Sequence, residues 1–593
     1  MKILGLSSNY HDASAALVVD GKLIAAAAEE RFTLQKHDPN FPVLAAEFCL
    51  KRAGLSAEEL DCIAYHENPN EKFSRTLSSS FARFPFSLPT FLKSMREAIT
   101  GGFWVRNRIS AALDVHPNKI IYVPHHCSHA AHSFLTSPFD EAAIMTLDAA
   151  GEWMCSGFFT GHRRQKKILP VGIVPFPHSL GLVYSAFTGF LGFKVNDGEC
   201  STMALAAFGQ PRFAAEIRKI IRLTGDGGYE IDVSYFDFTR DDSLPITRKF
   251  TGIFGEPRAH SEVLPFDCLK DPAAQPAVPT EVQRYADIAA SIQLVLEETI
   301  LSLAASLRSS TGLPKLCLSG GVALNCVAVG KLADSGIFDE LYVPPDPGDG
   351  GGAAGAALFQ HFRAAGSGEP DQDFSPYQGE SYDEEDVLAI LPLLPSAGHV
   401  KVAVKRDFDA AVVFAAEALA GGKIVGWLQD RFEAGPRALG NRSILADPSN
   451  VATARRISAR VKRRASFRPY ACSVASDELE RVFGRRKSAH SLAARWMQSS
   501  SEVDGSVRAQ LRAAIHVDGT TRPHVCTEEL NPRLHRLLGE FKARKGLGAL
   551  LNTSFNESGM PIVASPVNAL LMFLRTDMDV LVLNGTVLVK EEI

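Results

Sequence analysis

No two cysteines in this chain stand in a C-x-x-C spacing, although the sequence holds ten of them. Scattered thiols of this kind argue against a zinc ribbon or a disulfide framework and suit a reducing cytoplasm. G-x-x-x-x-G-K-[ST] is absent as well, which excludes a P-loop. No apolar run reaches the ~20 residues of a membrane-spanning helix. The opening Met1-Lys-Ile-Leu-Gly-Leu reads as a strand, not as a signal peptide. Positive charge is not in excess: Lys+Arg 62 against Asp+Glu 67 gives a net −5, so nothing predicts general affinity for nucleic acid. The expectation is a cytoplasmic monomer or homodimer with no nucleic-acid and no membrane partner.

What is present is a long, ordinary globular composition. At 593 residues, 46% hydrophobic and 22% charged, the chain exceeds one core and predicts two or more domains. The first segment runs Ile3-Leu-Gly-Leu, the turn Asn9-Tyr-His-Asp-Ala-Ser, Ala15-Ala-Leu-Val-Val, the hairpin turn Asp20-Gly-Lys and Leu23-Ile-Ala-Ala-Ala. The same plan recurs at Ile144-Met-Thr-Leu-Asp, Ala149-Ala-Gly-Glu, Met154-Cys-Ser-Gly-Phe-Phe and the hairpin Thr160-Gly-His-Arg. Two copies of a strand–turn–strand–hairpin unit predict a duplicated α/β architecture with ligands held by its halves. Actin, hexokinase and heat-shock ATPase domains share that plan. A long helical pattern follows over 284–308. A polar, Gly- and Pro-containing stretch over 364–384 reads as a linker to a second α/β domain. The expected boundaries are a first domain over 1–365, a linker over 366–383 and a second domain over 384–593. Stretches 66–110 and 225–280 carry few periodic signals and read as insertions, candidate walls of a substrate pocket.

His125 and His129 stand four apart, which puts both imidazoles on one face of a helical turn. Asp148 ends the apolar strand Ala142-Ala-Ile-Met-Thr-Leu-Asp, where a carboxylate needs a charge or donors to justify its burial. Two neutral imidazoles and a carboxylate form a shell for a borderline divalent ion such as Zn²⁺ or Fe²⁺. Asp349, at the mouth of the glycine-rich run Asp346-Pro-Gly-Asp-Gly-Gly-Gly, completes it. The G-x-G-x-x-G formed by Gly350, Gly352 and Gly355 is not a dinucleotide fingerprint, because no following strand carries a ribose-binding acid. Lys315-Leu-Cys-Leu runs into Ser319-Gly320-Gly321-Val-Ala-Leu-Asn325, a strand, glycine turn and helix start. That order suits a phosphate or ribose cradle, since glycine lets backbone N–H groups approach an anion; a tight turn without ligand is the alternative.

In the second half, cations gather around turns. Arg431, Arg437 and Arg442 lie in Gln429-Asp-Arg-Phe-Glu-Ala-Gly-Pro-Arg-Ala-Leu-Gly-Asn-Arg-Ser. Lys462 and Arg468 lie in Val461-Lys-Arg-Arg-Ala-Ser-Phe-Arg-Pro-Tyr, and Arg522 lies in Thr520-Thr-Arg-Pro-His. Leu550-Leu-Asn552-Thr-Ser554-Phe-Asn556 ends a strand on amides and a hydroxyl. Cations on separate turns near such a strand end suit a polyphosphate or carbamoyl-phosphate pocket. Arg455, Arg456, Arg463 and Arg464 read as a solvated basic face.

These motifs, in order and over essentially the whole chain, resemble the NodU/CmcH-type O-carbamoyltransferases. The resemblance rests on His-Asp-Ala-Ser-Ala-Ala (11–16), Glu29-Glu-Arg, Lys36-His, His-His-x-Ser-His-Ala (125–130), Ser-Leu-Gly-Leu-x-Tyr-Ser (179–185), Met-Ala-Leu-Ala-Ala-Phe-Gly (203–209), Ser-Gly-Gly-Val-Ala-Leu-Asn (319–325), Gly-Pro-Arg-Ala-Leu-Gly-Asn-Arg-Ser-Ile-Leu (435–445), Phe-Arg-Pro-Tyr (467–470) and Leu-Asn-Thr-Ser-Phe-Asn (551–556). It implies an actin-like (ASKHA, TsaD-like) N-terminal domain and a YrdC-like α/β C-terminal domain. It further implies that the C-terminal domain makes carbamoyl-adenylate from carbamoyl phosphate and ATP with Mg²⁺. The N-terminal domain then passes the carbamoyl group to a hydroxyl of a small-molecule acceptor and releases AMP.

Carried over, the metal shell is His125, His129, Asp148 and Asp349, with Fe²⁺ first and Zn²⁺ or Mn²⁺ as alternatives. The carbamoyl-phosphate and adenylate side is Arg437, Arg442, Lys462, Arg468, Arg522, Asn552 and Ser554, and His11 matches the base acting on the acceptor. Beside Asp12, His11 is suited to take a hydroxyl proton at neutral pH. Members carry Glu-x-Lys before the Met-Gly-Leu-Ala block; here Ser201 stands for the lysine and Ala204 for the glycine, which removes one positive charge expected near the nucleotide. Three other readings compete. An actin-like ATPase or kinase leaves the basic second domain unexplained. A fused tRNA threonylcarbamoyl transferase lacks a basic stripe, and a hydrogenase-maturation protein would carry C-x-x-C zinc fingers.

Overall fold

The computed structural model describes the whole chain except residues 9–10, 83, 85–86, 101–103, 239–243, 271–277, 365–373, 395–398 and 591–593. It divides into two compact units. The first comprises Met1–Glu29, Pro39–Val263 and Val278–Phe374, the second Glu30–Asp38, Leu264–Ala277 and Ser375–Ile593. Two short segments of the N-terminal half thus pack into the second unit, which a boundary drawn by composition cannot register.

The first unit repeats one sheet plan. Strands β1 (Lys2–Ser7), β2 (Ser14–Val19), β3 (Lys22–Ala28), β4 (Cys62–Tyr65) and β5 (Ile120–Tyr122) lie in the order β3-β2-β1-β4-β5. The first three are antiparallel, and β4 and β5 join in parallel. Strands β6 (Glu141–Gly151), β7 (Met154–His162), β8 (Lys167–Pro175), β11 (Lys315–Ser319) and β12 (Glu340–Tyr342) repeat it as β8-β7-β6-β11-β12 with the same senses of pairing. A small ribbon of β9 (Ile221–Leu223) and β10 (Tyr229–Ile231) precedes β11. This is the duplicated α/β, actin-like plan that the two strand–turn–strand–hairpin units predict.

The helices that carry the site are packed by small residues. The Gly352–Ala364 helix lies on β1, on β2 and on the His125–Leu135 helix. Its approach is so close that a Cβ at Gly355 would stand 2.0 Å from the Ser128 carbonyl oxygen. The 32-residue helix Thr280–Thr311 is long and apolar enough to cross a membrane, yet 67% of its apolar window is buried within the protein. It packs against the helices Glu199–Ala206, Ala214–Ile220 and Cys326–Asp334.

The stretch over 66–110, expected to be irregular, contains the helices Pro69–Ala82, Leu88–Thr100 and Val105–Leu113. Of its aromatics, Phe84 and Trp104 are exposed, whereas Phe86 and Phe103 lie outside the described residues. In 225–280, Phe250 and Phe254 pack edge-to-face with Phe187 and Phe190 into a buried aromatic cluster.

The second unit is built on a sheet of β13 (Val400–Val404), β14 (Val425–Leu428), β15 (Arg442–Ala446), β16 (Ala471–Ala475), β17 (Ser501–Glu502), β18 (Thr520–Cys526), β19 (Ala549–Ser554), β20 (Val580–Leu583) and β21 (Thr586–Lys590), ordered β13-β21-β20-β14-β15-β19-β16-β18-β17. Its register explains where a ligand can sit. Val425, Trp427, Leu445, Leu550, Ala475 and Cys526 share one face and bury it against the helices Phe408–Ala420 and Pro532–Lys545. Farther along the same face the pairs Ser443–Ser554, Ala471–Asn552, Ala471–Arg522 and Ser473–His524 follow. One sheet surface therefore changes from core to a polar stripe over four strands, as strand alternation dictates. Of the expected linker, residues 375–383 belong to this unit: Gly379 donates to the Phe432 carbonyl and Tyr377 Oη to the Leu439 carbonyl. Residues 366–373 lie outside the described residues.

Candidate active site

In the first unit three elements bring four side chains together. His125 and His129 occupy the first turns of the His125–Leu135 helix, Asp148 stands on β6, and Asp349 precedes the Gly352–Ala364 helix. Each offers one ligand atom, and the four atoms lie within 4.8 Å of one another. The two Nε2 atoms are 3.1 Å apart. His125 Nε2 stands 2.9 Å from Asp148 Oδ2 and 3.5 Å from Asp349 Oδ1, and His129 Nε2 is 3.4 Å from Asp349 Oδ1. Two imidazole nitrogens that face each other at contact distance cannot both keep a proton there without a carboxylate between them. Lone pairs converging on one point from two nitrogens and two oxygens are the donor set of a borderline divalent ion. Asp349 Oδ1 and His125 Nδ1 are also buried without a hydrogen-bond partner. The residues present fit a metal.

The electrostatics agree with a shell waiting for a cation. Burial works against the charged form of His129, but Asp148 and Asp349 overcome it and raise its pKa to about 10. His125 is raised against burial by the same two acids. Burial likewise opposes ionisation of Asp148, yet its bonds to His125 and His129 hold it well below the usual carboxylate range. Asp349 is lowered to about 2, because His129, His125 and His11 outweigh both burial and the Asp148 charge. The remaining histidines of the helix are different. Burial drives His126 and His132 down to about 3, and His126 is tied to Thr146 Oγ1 and the Met154 carbonyl. Glu152 accepts from the His125 backbone N–H at 3.1 Å through both oxygens and so caps the helix. No motif announced that residue.

His11 lies beside this shell. Its Nδ1 is 2.8 Å from Asp12 Oδ2 and its Nε2 3.9 Å from Asp349 Oδ2. Burial disfavours its charged form, but Asp12 and Asp349 prevail and raise its pKa to about 9. The glycine turn supports the shell from the other side. Gly320 adopts φ +93, and Gly321 N–H donates to Asp148 Oδ1 at 2.9 Å. Gly320 N–H donates to the Pro347 carbonyl, as does Ser319 Oγ, which also stands 3.5 Å from His129 Nδ1. The Asn325 amide pairs with Gln293 in both directions and caps the following helix through Ala328 N–H. In this arrangement Ser319, Gly320, Gly321 and Asn325 spend these groups on orienting Asp148 and on packing. Ser201 is buried on the Glu199–Ala206 helix.

In the second unit Lys462 ends a π-helical turn, Ile457–Lys462, that follows the helix Val451–Arg456. Such wide turns recur at functional sites. Its ammonium donates to the Ser554 carbonyl at 2.6 Å, to Ser554 Oγ at 3.0 Å and to Asn556 Oδ1 at 2.5 Å. Burial first, then the charges of Arg464, Arg468 and Lys36, push its pKa well below the ordinary lysine range. A buried ammonium surrounded by further cations is a hole for an anion. Arg464, expected on a solvated face, is instead half-buried: it donates to the Arg468 and Pro469 carbonyls and covers the Tyr470 ring at 4.2 Å. It also feels the charges of Arg468 and Arg522. Arg437 and Arg468 are half-buried on their loops; Arg522, expected on a turn, is half-buried on strand β18.

Arg442 is fully buried and donates to the carbonyls of Ala564, Gln429, Asn441 and Asp430. It holds the loop that presents Arg437. Two residues that sequence reasoning missed hold the same loop. Glu433 Oε1 accepts from the N–H groups of Leu439, Asn441 and Arg442, and Arg31 donates to the Gly435 and Ile562 carbonyls.

Two family models match the chain: "Carbamoyltransferase N-terminus" over residues 2–358 and "Carbamoyltransferase C-terminus" over 416–590. Among curated relatives, an uncharacterized protein of Synechocystis is 38% identical over 99% of this chain and 96% of its own length. Nodulation protein NolNO of Sinorhizobium fredii is 33% identical over 98% of this chain and 79% of its own. A 3'-hydroxymethylcephem-O-carbamoyltransferase of Amycolatopsis lactamdurans is 35% identical over 41% of this chain and 43% of its own. Among solved structures, HypF of T. kodakarensis aligns over 62% of this chain and 48% of its own, at 15% identity and a TM-score of 0.30.

Proposed function

We propose, from the premise that this chain belongs to the carbamoyltransferase family, that it is an ATP-dependent O-carbamoyltransferase working through carbamoyl-adenylate. The observation that carries this reading is the buried Lys462 ammonium among Arg464 and Arg468. Such a cation cluster needs an anion, and the His₂Asp₂ shell of the first unit leaves it unexplained. Carbamate is a poor acyl donor, because nitrogen donates into its carbonyl; joining it to AMP gives it a leaving group. The balanced sequence has water cleave carbamoyl phosphate to carbamate and phosphate. A carbamate oxygen then attacks the α-phosphorus of ATP, bound with Mg²⁺, and expels pyrophosphate. An acceptor hydroxyl finally attacks the carbamoyl carbon, loses its proton and expels AMP.

Lys462, Arg437, Arg468 and Arg522, with Asn552 and Ser554, bind and orient the phosphorylated carbon and the nucleotide in the second unit. Arg442 keeps their loop in shape. In the first unit His11 accepts the hydroxyl proton, with its ring held by Asp12. An Fe²⁺, Zn²⁺ or Mn²⁺ ion held by His125, His129, Asp148 and Asp349 would polarise the carbamoyl carbonyl and offset the Asp349 charge, which after Asp12 raises the His11 pKa. The acceptor is a hydroxyl of a small natural product, of the kind that the name of the cephem relative describes.

The purified chain, given carbamoyl phosphate, Mg²⁺-ATP and a panel of hydroxylated antibiotics and glycosides, is expected to release pyrophosphate and AMP. One acceptor should gain the mass of a carbamoyl group. Release of ADP in place of AMP overturns the reading in favour of an actin-like ATPase or kinase.

A further inference from the structure

The polar stripe of the second unit holds a chain of hydrogen bonds whose direction is fixed at one end. The Asn552 side-chain amide donates through Nδ2 to the Ala438 carbonyl at 3.1 Å and to Ser473 Oγ at 2.8 Å. A backbone carbonyl only accepts, so the amide cannot be turned over, and Nδ2 spends both hydrogens. Among the described residues His524 Nδ1, 2.9 Å away, is the acceptor within reach of the Ser473 hydroxyl proton, since its other partner is the donating Asn552 amide. His524 Nδ1 therefore carries the lone pair, and the ring proton sits on Nε2. Burial lowers the His524 pKa to about 3, so the ring stays neutral.

Two groups are left over. Asn552 Oδ1 is buried and accepts nothing, and among the described residues nothing accepts from His524 Nε2. Both residues are at least 98% buried, at 1% and 2% exposure, and both touch the same Ser473 oxygen. Asn552 lies two residues before Ser554, on the same strand face, and Ser554 holds Lys462. Thus an unpaired acceptor and an unpaired donor, of prescribed identity, stand one strand step from the cationic hole. Leaving the buried Asn552 oxygen unmet costs free energy that a bound group can return.

We infer that His524 and Asn552 form the subsite that reads the carbamoyl amide: His524 Nε2–H donates to its carbonyl oxygen and Asn552 Oδ1 accepts from its NH₂. His524 is thereby a specificity-determining residue, assigned by no motif above; the assignment rests on the proposed carbamoyl-phosphate chemistry of this unit. Ser473 is the positioning residue that sets the ring's tautomer. The phosphate end belongs to Lys462 and the arginines, so the two ends of the substrate are read by separate groups.

The test measures pyrophosphate release by the full chain with ATP and carbamoyl phosphate, together with the inhibition constant of inorganic phosphate competing with carbamoyl phosphate. His524→Leu should lower kcat/KM for carbamoyl phosphate about 10- to 100-fold, while the phosphate constant stays at its wild-type value. His524→Gln, which keeps a donor, should recover most of the loss. Ser473→Ala, which leaves the ring but releases its tautomer, should give a smaller loss of the same kind. If both constants move together, or neither moves, the assignment is overturned. Should His524→Leu fail to fold, the glutamine and Ser473 variants decide by the same two constants. A wild-type chain that makes no pyrophosphate sinks the proposed function itself, whereas a working wild type with an unaffected His524→Leu sinks only this inference.

Discussion

At the scale of single residues, what separates the two candidate metal-ligating histidines from their neighbours is company. His125, His126, His129 and His132 all lie buried on one helix, but only two of them meet carboxylates, which push their pKa values up, while burial drives the others neutral. Metal must displace these protons, so apparent affinity should rise with pH, about tenfold per unit for each proton released. Titration of Mn²⁺ or Fe²⁺ into chelator-treated protein at pH 6.5 and 7.5 checks this; a constant affinity contradicts it. In the metal-free protein the sign is the opposite one. A folded pKa raised to about 10 means that His129 lends its full stabilisation below the ordinary 6.5 and loses it as the pH climbs through 10. His11 and Lys462 should fail differently. His11→Ala is expected to slow carbamoyl transfer roughly 10²–10⁴-fold and leave pyrophosphate release intact. Lys462→Ala should abolish pyrophosphate release and keep transfer from supplied carbamoyl-adenylate. Assaying both half-reactions in both variants decides, and loss of both steps in the His11 variant contradicts its role.

At the scale of elements, the site residues sit where regular structure ends or deforms. His125 opens a helix capped by Glu152, Asp349 precedes another, and Lys462 closes a π-helical turn. The loop from Glu433 to Arg442 is held from beneath by groups that never face a ligand. Three of its backbone N–H groups converge on Glu433 Oε1, and the Arg442 guanidinium takes the Asn441 carbonyl together with those of Gln429 and Asp430 just before the loop. Glu433→Ala would strand three donors and a fully buried arginine, at a cost of roughly 3–5 kcal/mol. Urea denaturation should show that loss in the second unit, and a loss below 1 kcal/mol would contradict it. The i,i+4 histidines and the Gly-Pro-Arg-Ala-Leu-Gly run were legible because spacing and turn residues act locally. Glu152, Glu433 and Arg31 were not, because each acts on backbone groups far from it in sequence. Arg464 was misread as solvated for the same reason: a Lys-Arg-Arg run says nothing of the Tyr470 ring that covers one of its members.

At the scale of the molecule, two units with unlike electrostatics share one chain. One gathers carboxylates and imidazoles, the other ammonium and guanidinium groups. Chelation should therefore stop carbamoyl transfer, with ATP still converted to carbamoyl-adenylate and pyrophosphate when Mg²⁺ is restored alone; pyrophosphate release that disappears with the transition metal contradicts this division of labour. The sequence by itself determined the duplicated sheet plan, through strand and hairpin patterning that repeats. It also determined the candidate ligand types, through side-chain chemistry that no fold alters. Only the tertiary structure decided which of those side chains meet. Asp148 and Asp349 reach the histidines from separate elements, Arg442 turns inward to carbonyls, and a serine fixes which nitrogen of His524 bears a proton. Distances and hydrogen-bond directions between residues remote in sequence exist only once the chain has packed.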